Sequence, residues 1–238
     1  MFRLLPATDG ARDVRHDESL IGLAAAHGPH ACIWESDQGL VVPRTYQRFP
    51  RFAQACADFA AQGWPVALRQ SGGGIVPQGP GIVNLSLAYA VEGKPLDHSD
   101  EAYLLICRVI GLALQEHGVT AQPQAVQGSF CDGRYNLAVG AGGQARKIAG
   151  TAQLWRRHRS DPIREYRQIV LVHALILASV DIDRVTLRAN DFELAVGNDR
   201  RYASRSAVSL SELCGPGWNP PSLTESLKQS LARKIAAV

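Results

Sequence analysis

Two pairs of strand-like segments in this chain are separated by links too short to cross a sheet. Ala31–Trp34 and Gly39–Val42 are parted only by residues 35–38, and Tyr135–Val139 and Ala145–Ala149 only by residues 140–144. Parallel neighbours need a connection of roughly a dozen residues or more, so such pairs predict antiparallel hairpins. Helical patterns alternate with them. Leu20–Ala26 reads as a short helix stopped near Gly28-Pro29. Phe49–Gln62 places Pro50 in a first turn and Phe52, Cys56 and Phe59 on one face, with Gly63 as its stop. Ser99 is suited to cap a long apolar helix ending at Gly118, and Ser222 with Glu225 forms a capping box for a last helix towards Ala236. Further strands are predicted at Pro65–Arg69, Ile82–Ala88, Gln168–Leu177 and Phe192–Val196. The mixture predicts an α+β fold, a mixed and largely antiparallel sheet flanked by helices. No internal repeat or low-complexity linker interrupts it, so residues 1–238 are expected to form a single domain without a C-terminal accessory domain.

A net charge of +3 is too weak to argue for nucleic acid. The five cysteines are scattered, odd in number and never spaced as CxxC, which disfavours a disulfide framework or a zinc site and fits a reducing compartment. Met1–Asp13 lacks the apolar stretch of a signal peptide, and no run approaches the roughly 20 apolar residues of a membrane span. The expectation is a cytoplasmic protein with no membrane or nucleic-acid partner and no metal site of its own.

Two glycine-rich stretches carry chemistry. In Arg69-Gln70-Ser71-Gly72-Gly73-Gly74 three consecutive residues lack a Cβ, so a ligand can lie against bare backbone N–H groups. Arg69 suits a carboxylate or phosphate there. A flexible hairpin turn is the plain alternative, and neither a Walker loop nor a dinucleotide fingerprint is present. Gly79-Pro80-Gly81 can bring the next strand to the same pocket. The second stretch is Gly142-Gly143-Gln144-Ala145-Arg146-Lys147-Ile148-Ala149-Gly150-Thr151-Ala152-Gln153. It sets a lysine on a strand just ahead of Gly150, in a chain whose other lysines are only Lys94, Lys228 and Lys234. Such a lysine can hold an anion as a point charge or stabilise charge developing in acyl transfer, although a solvent-facing strand lysine is commoner.

Taken in order, these blocks resemble the lipoate–protein ligase A, octanoyltransferase and biotin ligase superfamily, most closely the lipoate–protein ligase A catalytic domain. The glycine loop is followed by Asn84-Leu85-Ser86, and Asp132-Gly133-Arg134-Tyr135-Asn136-Leu137 precedes the lysine block. Ile33-Trp34-Glu35 with Val41-Val42-Pro43-Arg44 is similar to the family's first hairpin, and Leu171-Val172-His173-Ala174-Leu175 to the strand after the lysine. The likeness runs from about Leu20 to Leu213.

The resemblance implies an acyl chain running into the core, walled by Ile75, Val76 and Ile82. Its activated carboxyl end would lie between the glycines and Lys147. Arg69, Ser71, Gly72, Gly73, Gly74, Asn84, Arg134, Gly150, Thr151 and Ala152 are the implied binding residues. Three departures qualify it. Pro77-Gln78-Gly79-Pro80 stands where the family carries histidine and aspartate after the glycines. The accessory domain that many lipoate ligases use for adenylation has no counterpart in this chain, so a separate subunit would have to supply it if adenylation requires it. Cys131 immediately precedes Asp132-Gly133-Arg134.

As a ligase the chain would use lipoate or octanoate with ATP and Mg2+, form an acyl-adenylate, and pass the acyl group to a carrier lysine. The carrier would be an apo lipoyl domain of a dehydrogenase complex or a glycine-cleavage H protein. As an octanoyltransferase it would accept the group from acyl carrier protein on Cys131, with Lys147 and Arg134 close enough in sequence to activate the thiol if they are close in space. The alternative for Cys131 is a small buried apolar residue. A third reading, prompted by the missing His-Asp pair, is a non-catalytic acyl- or adenylate-binding protein.

Overall fold

The computed structural model describes residues 1–6, 16–158 and 167–238, so part of the Met1–Asp13 stretch lies outside the described residues. Strand β1 (Arg3–Leu4) and a 3-10 turn at His16–Glu18 precede helix α1 (Ser19–His27). Strands β2 (His30–Trp34) and β3 (Gly39–Pro43) follow, then helix α2 (Phe52–Ala61) and strand β4 (Val66–Arg69). The glycine loop leads into β5 (Val76–Gln78), a strand the sequence pattern does not announce, and then into the long β6 (Ile82–Glu92). Helix α3 (Pro95–Gln115) is followed by the short β7 (Gln122–Pro123) and β8 (Leu137–Val139). Two long strands, β9 (Arg146–Arg157) and β10 (Arg167–Leu177), come next. Helices α4 (Ile182–Val196), α5 (Leu210–Cys214) and α6 (Pro220–Ala236) follow them.

The expected α+β architecture is present. A seven-stranded sheet runs β1-β2-β6-β10-β9-β8-β7, with only β1–β2 parallel. A three-stranded sheet runs β4-β3-β5, in which β3–β4 is parallel. The second short-linked pair forms the expected antiparallel pair, with Val139 opposite Arg146. The first does not. β2 pairs with β6 in the large sheet while β3 sits in the small one, so residues 35–38 carry the chain between sheets. Both strands are buried along their whole length, and neither behaves as a hairpin with one wet face.

Helices α3 and α6 cover one face of the large sheet, their apolar stripes closing on Leu85, Val170 and Val172. Helices α2 and α4 close a second core with the small sheet around Val42, Phe59 and Phe192. Several boundaries differ from expectation. Helix α3 starts at Pro95, because Asp97 accepts from the Lys94 amide and proline needs no donor there; Ser99 lies inside it and donates to Gln153 at 3.2 Å. Helix α6 starts after Asn219, which puts Ser222 and Glu225 within the helix. Helix α2 begins at Phe52, after a 3-10 turn at Arg44–Arg48.

The predicted strand Phe192–Val196 is the last turn and a half of α4. Asp181 caps that helix by accepting from the Arg184 amide at 3.0 Å, and Gly197 ends it at φ 81°. Ile182, Val185, Ala189, Phe192 and Val196 are its buried stripe. Spacings of three and four make the apolar run helical, which the five-residue window conceals.

Candidate functional site

Where the two sheets meet they leave a small, partly open pocket with a cavity volume of about 40 Å³. Trp34, Val41, Val76 and Leu175 supply apolar wall. Arg69, Gln78, Asn84, Cys131, Lys147, Thr151 and His173 bring polar groups to it, and Gly150 and Ala152 complete the β9 side. Deep apolar clefts with a few convergent polar groups are the usual form of a small-molecule site.

Lys147 projects from β9 and is wholly buried. Its Nζ donates to the Phe130 carbonyl and, at 3.2 Å, to the Cys131 carbonyl. Gly150 makes room for this reach: a Cβ there would lie 2.5 Å from Nζ. Burial brings the ammonium down from an ordinary 10.5 to about 8, with Cys131 pulling it up, the Arg69 cation pushing it further down and Asp132 raising it. An amine in that range exchanges its proton near neutrality.

Cys131 holds φ 51°, a left-handed backbone that non-glycine residues rarely adopt. Its carbonyl accepts from Lys147 Nζ and also from Asn136 Nδ2 at 2.8 Å, so the strained turn is fixed from two sides. Thr151 Oγ1 donates to the Tyr135 carbonyl at 2.9 Å and pins the far end of the same segment to β9. The thiol faces the glycine loop. A Cβ built on Gly73 would approach Cys131 Sγ to 2.7 Å.

Arg69 is buried and gathers the loop around itself. One terminal nitrogen donates to the carbonyls of Gly72 at 2.9 Å and Gly74 at 2.8 Å, while its Nε is buried with no hydrogen-bond partner among the described residues. Burial lowers its pKa, but a guanidinium remains charged. Behind Gly74, the position of a Cβ would lie 3.3 Å from the Arg200 guanidinium and 3.4 Å from the Tyr202 hydroxyl. Ser71 Oγ is turned to His173 Nε2 at 2.9 Å, and His173 Nδ1 meets Asp17 Oδ2 at 2.9 Å. Gln78 and Asn84 exchange two amide hydrogen bonds, at 2.8 and 2.9 Å. Gln78 of that pair lies in the stretch where the sequence lacks histidine and aspartate.

Of the residues singled out in the sequence, Arg69, Asn84, Cys131, Lys147, Gly150, Thr151 and Ala152 line this pocket together. Gly72, Gly73 and Gly74 wrap Arg69 and back the thiol. Ser71 is directed to His173. Arg134 departs from expectation: it is exposed, pairs with Asp100 at 2.7 Å and lies over the Tyr135 ring at 4.8 Å, so Arg69 takes its place near Cys131. Of the expected apolar wall only Val76 serves; Ile75 and Ile82 belong to the core beneath the small sheet. Gly81 packs against Ser179 and Val180, and the strand that follows it brings Asn84 to the pocket. Asp17 has no local signal in the sequence, and His173 stands out there only through its strand motif. Among the described residues no group of three or more His, Cys, Asp or Glu could hold a metal ion, and no helix is long and apolar enough to cross a membrane.

Residues 14–232 match the family described as lipoyl protein ligase A/B catalytic domain. An uncharacterised protein of Cupriavidus necator is 51% identical over 205 residues, covering 85% of this chain and 81% of the relative. An octanoyl-GcvH:protein N-octanoyltransferase of Kyrpidia tusciae is 33% identical over 205 residues, covering 85% of this chain and 68% of the relative. Among solved structures, lipoate-protein ligase A bound with ATP superposes with a TM-score of 0.68 at 15% identity, over 99% of this chain and 85% of that one. A Thermoplasma acidophilum bipartite lipoate protein ligase, solved with its E2 lipoyl domain, gives 0.63 at 16% identity, over 98% of this chain and 81% of that one.

Proposed function

Because the chain belongs to the lipoyl protein ligase A/B catalytic-domain family, we propose that it transfers an octanoyl or lipoyl group to a carrier lysine through a thioester on Cys131. The observation that supports this reading is that Cys131 lines the pocket on a strained, doubly held turn: its carbonyl is bound by the buried Lys147 amine and its thiol faces the glycine loop. Strain of this kind is retained where the surroundings over-determine it, commonly at reacting groups.

In the first half-reaction the Cys131 sulfur attacks the acyl carbonyl of the donor. A C–S bond forms, the donor's sulfur or nitrogen leaves, and the leaving group takes up the proton that the thiol gives. Lys147, held on the Cys131 carbonyl and brought by burial down to about 8, would pass that proton. In the second, the neutral amine of the target lysine attacks the thioester; a C–N bond forms, the C–S bond breaks, and the departing sulfur takes up the proton that the amine gives, restoring the Cys131 thiol. Trp34, Val41, Val76 and Leu175 offer the apolar surface along which the acyl chain lies. The donor is an octanoylated carrier, either acyl carrier protein or a glycine-cleavage H protein as the Kyrpidia relative's name states for that enzyme, and the acceptor is an apo lipoyl domain.

The second reading is an ATP-dependent lipoate ligase. It is favoured by the unpartnered Nε of Arg69, a cationic donor available to an acyl carboxylate or phosphate, and by the fold shared with an ATP-binding ligase. Arg69 and Lys147 would then neutralise an acyl-adenylate formed from lipoate and ATP with Mg2+, and no protein nucleophile would be used.

Intact mass of an apo lipoyl domain distinguishes the two. Acyl gain from an octanoylated carrier, with a Cys131-linked acyl adduct that is lost in Cys131→Ser, is the expected result. Gain only with lipoate plus Mg-ATP, undiminished in Cys131→Ser, would move the assignment to the ligase. Retained acyl or adenylate binding with no gain in either mixture would leave a binding protein or one missing an accessory subunit.

A further inference from the structure

We propose that Asp17 and His173 are positioning residues that set the glycine loop through Ser71, and thereby hold the wall against which the Cys131 thiol lies. Asp17 is 2% exposed and receives two donors, His173 Nδ1 at 2.9 Å and Ser86 Oγ at 3.1 Å. With Nδ1 donating, a neutral imidazole has Nε2 free only to accept, so the Ser71 hydroxyl is the donor of the 2.9 Å contact. The relay leaves Ser71 one orientation. This matters because Gly72, Gly73 and Gly74 have no side chains with which to anchor themselves. Arg69, the last residue of β4, holds two of their carbonyls from inside, and Ser71 fixes the loop just ahead of them. The neighbouring residues repeat the grip: Glu18 accepts from Gln70 Nε2, and Gln70 Oε1 accepts from Arg156. An adjacent pair in the 3-10 turn, Asp17 and Glu18, thus clamps an adjacent pair at the loop's start.

The order Asp–His–Ser is that of a hydrolytic triad, yet Ser71 is 4% exposed and does not line the pocket, so it orients the loop and does not attack substrate. The inference bears on turnover only through the cysteine route proposed above, but its structural content can be read without turnover.

The test is the rate at which iodoacetamide alkylates Cys131 in the full chain at one fixed pH, resolved by peptide mass mapping. Losing one neutral hydrogen bond is expected to raise that rate about fivefold in Ser71→Ala, and Asp17→Ala, which removes the acceptor of both His173 and Ser86, should raise it as well. The two amide replacements of His173 separate a relay from a wall residue. Glutamine can place an acceptor where Nε2 stood, whereas asparagine reaches only the Nδ1 position and serves Asp17 alone. His173→Gln, which keeps an acceptor for Ser71 but offers no donor to Asp17, should rise less than His173→Asn, which should behave like Ser71→Ala. Equal rates in the two amide variants, or no change in Ser71→Ala, would overturn the proposal. So would a rise in Ser71→Ala shared by the buried Cys32 and Cys107, which would mark global loosening. If Cys131 is not the nucleophile, the alkylation pattern still stands and only the transfer assay fails.

Discussion

Gly73 and Cys131 are packed so closely that a single added methyl on the glycine would lie 2.7 Å from the sulfur. The same Cβ would lie 2.7 Å from an Arg69 nitrogen that is committed to two loop carbonyls. Bare backbone at residue 73 is therefore what lets the thiol, the guanidinium and the loop share one small space. Gly73 also stands at φ 110°, where any L side chain is strained.

Gly73→Ala is accordingly expected to destabilise the protein by roughly 1–3 kcal/mol and to cut acyl transfer at least tenfold by displacing the loop or the thiol. Gly72→Ala is the control, since a Cβ there meets nothing within 4 Å. Urea unfolding and the carrier-mass assay should separate the two variants. Equal effects would mean that the contact with Cys131 is not what residue 73 requires.

Gly150 plays the corresponding part for Lys147. An alanine Cβ would sit 2.5 Å from Nζ and 2.7 Å from Cε, and a wholly buried lysine has no solvent into which to swing aside. Gly150→Ala should shift the amine from the Phe130 and Cys131 carbonyls and lower transfer by about tenfold or more, as loss of a proton-transfer group commonly does. Unimpaired transfer with the variant folded would argue against any role for the lysine's present position.

Much of this arrangement is legible in the sequence because it is local. Gly72, Gly73 and Gly74 advertise a close backbone approach, and Lys147 ahead of Gly150 advertises a lysine beside a missing side chain. The joining of loop, Cys131 and Lys147 in one pocket is reached through the family resemblance. What escapes has a physical reason in each case. Asp17 and His173 meet only because β10 pairs beside β6 and the 3-10 turn folds over it; nothing near either residue records the other. Arg134 is only three residues from Cys131 in sequence, but its side chain turns outward onto Asp100. The α4 stripe was hidden because Phe192–Val196 is apolar enough to pass for a strand unless Asp181 and Gly197 are recognised as its caps.

That helix carries a buried acid whose role can be measured. Glu193 is fully buried and accepts from the Tyr46 and Tyr202 hydroxyls at 2.6 and 2.7 Å and from Asn198 Nδ2 at 2.7 Å. Burial, reinforced by hydrogen bonds to the carboxylate, pushes both phenols above their ordinary range. Glu193→Leu would strand three donors and is expected to cost about 3–5 kcal/mol in urea unfolding, with Glu193→Gln losing less because its amide oxygen still accepts. Tyr202 also backs Gly74, so the leucine variant should lose transfer in proportion to stability. A leucine variant as stable as the parent would show the network to be dispensable.

The buried amine of Lys147 makes a prediction about pH. Its pKa in the folded protein is about 8 against an ordinary 10.5, so between these values the unfolded chain holds a proton that the folded chain has released. Raising the pH through that window must favour the folded state; below it both states are protonated and the burial cost is constant. From pH 7.5 to 9.5 the contribution of this one group is about 2 kcal/mol in favour of folding. In Lys147→Met that increment should vanish, whatever the variant's absolute stability once the Phe130 and Cys131 carbonyls lose this donor, the second keeping Asn136. The measurement is the urea midpoint of both proteins across the range, read as a difference to cancel other titrations. A gap that shifts towards the wild type as pH rises fits an amine titrating near neutrality and able to take the Cys131 proton. Parallel curves would mean that Lys147 keeps its ordinary pKa, and the proton would then have to be carried by another group.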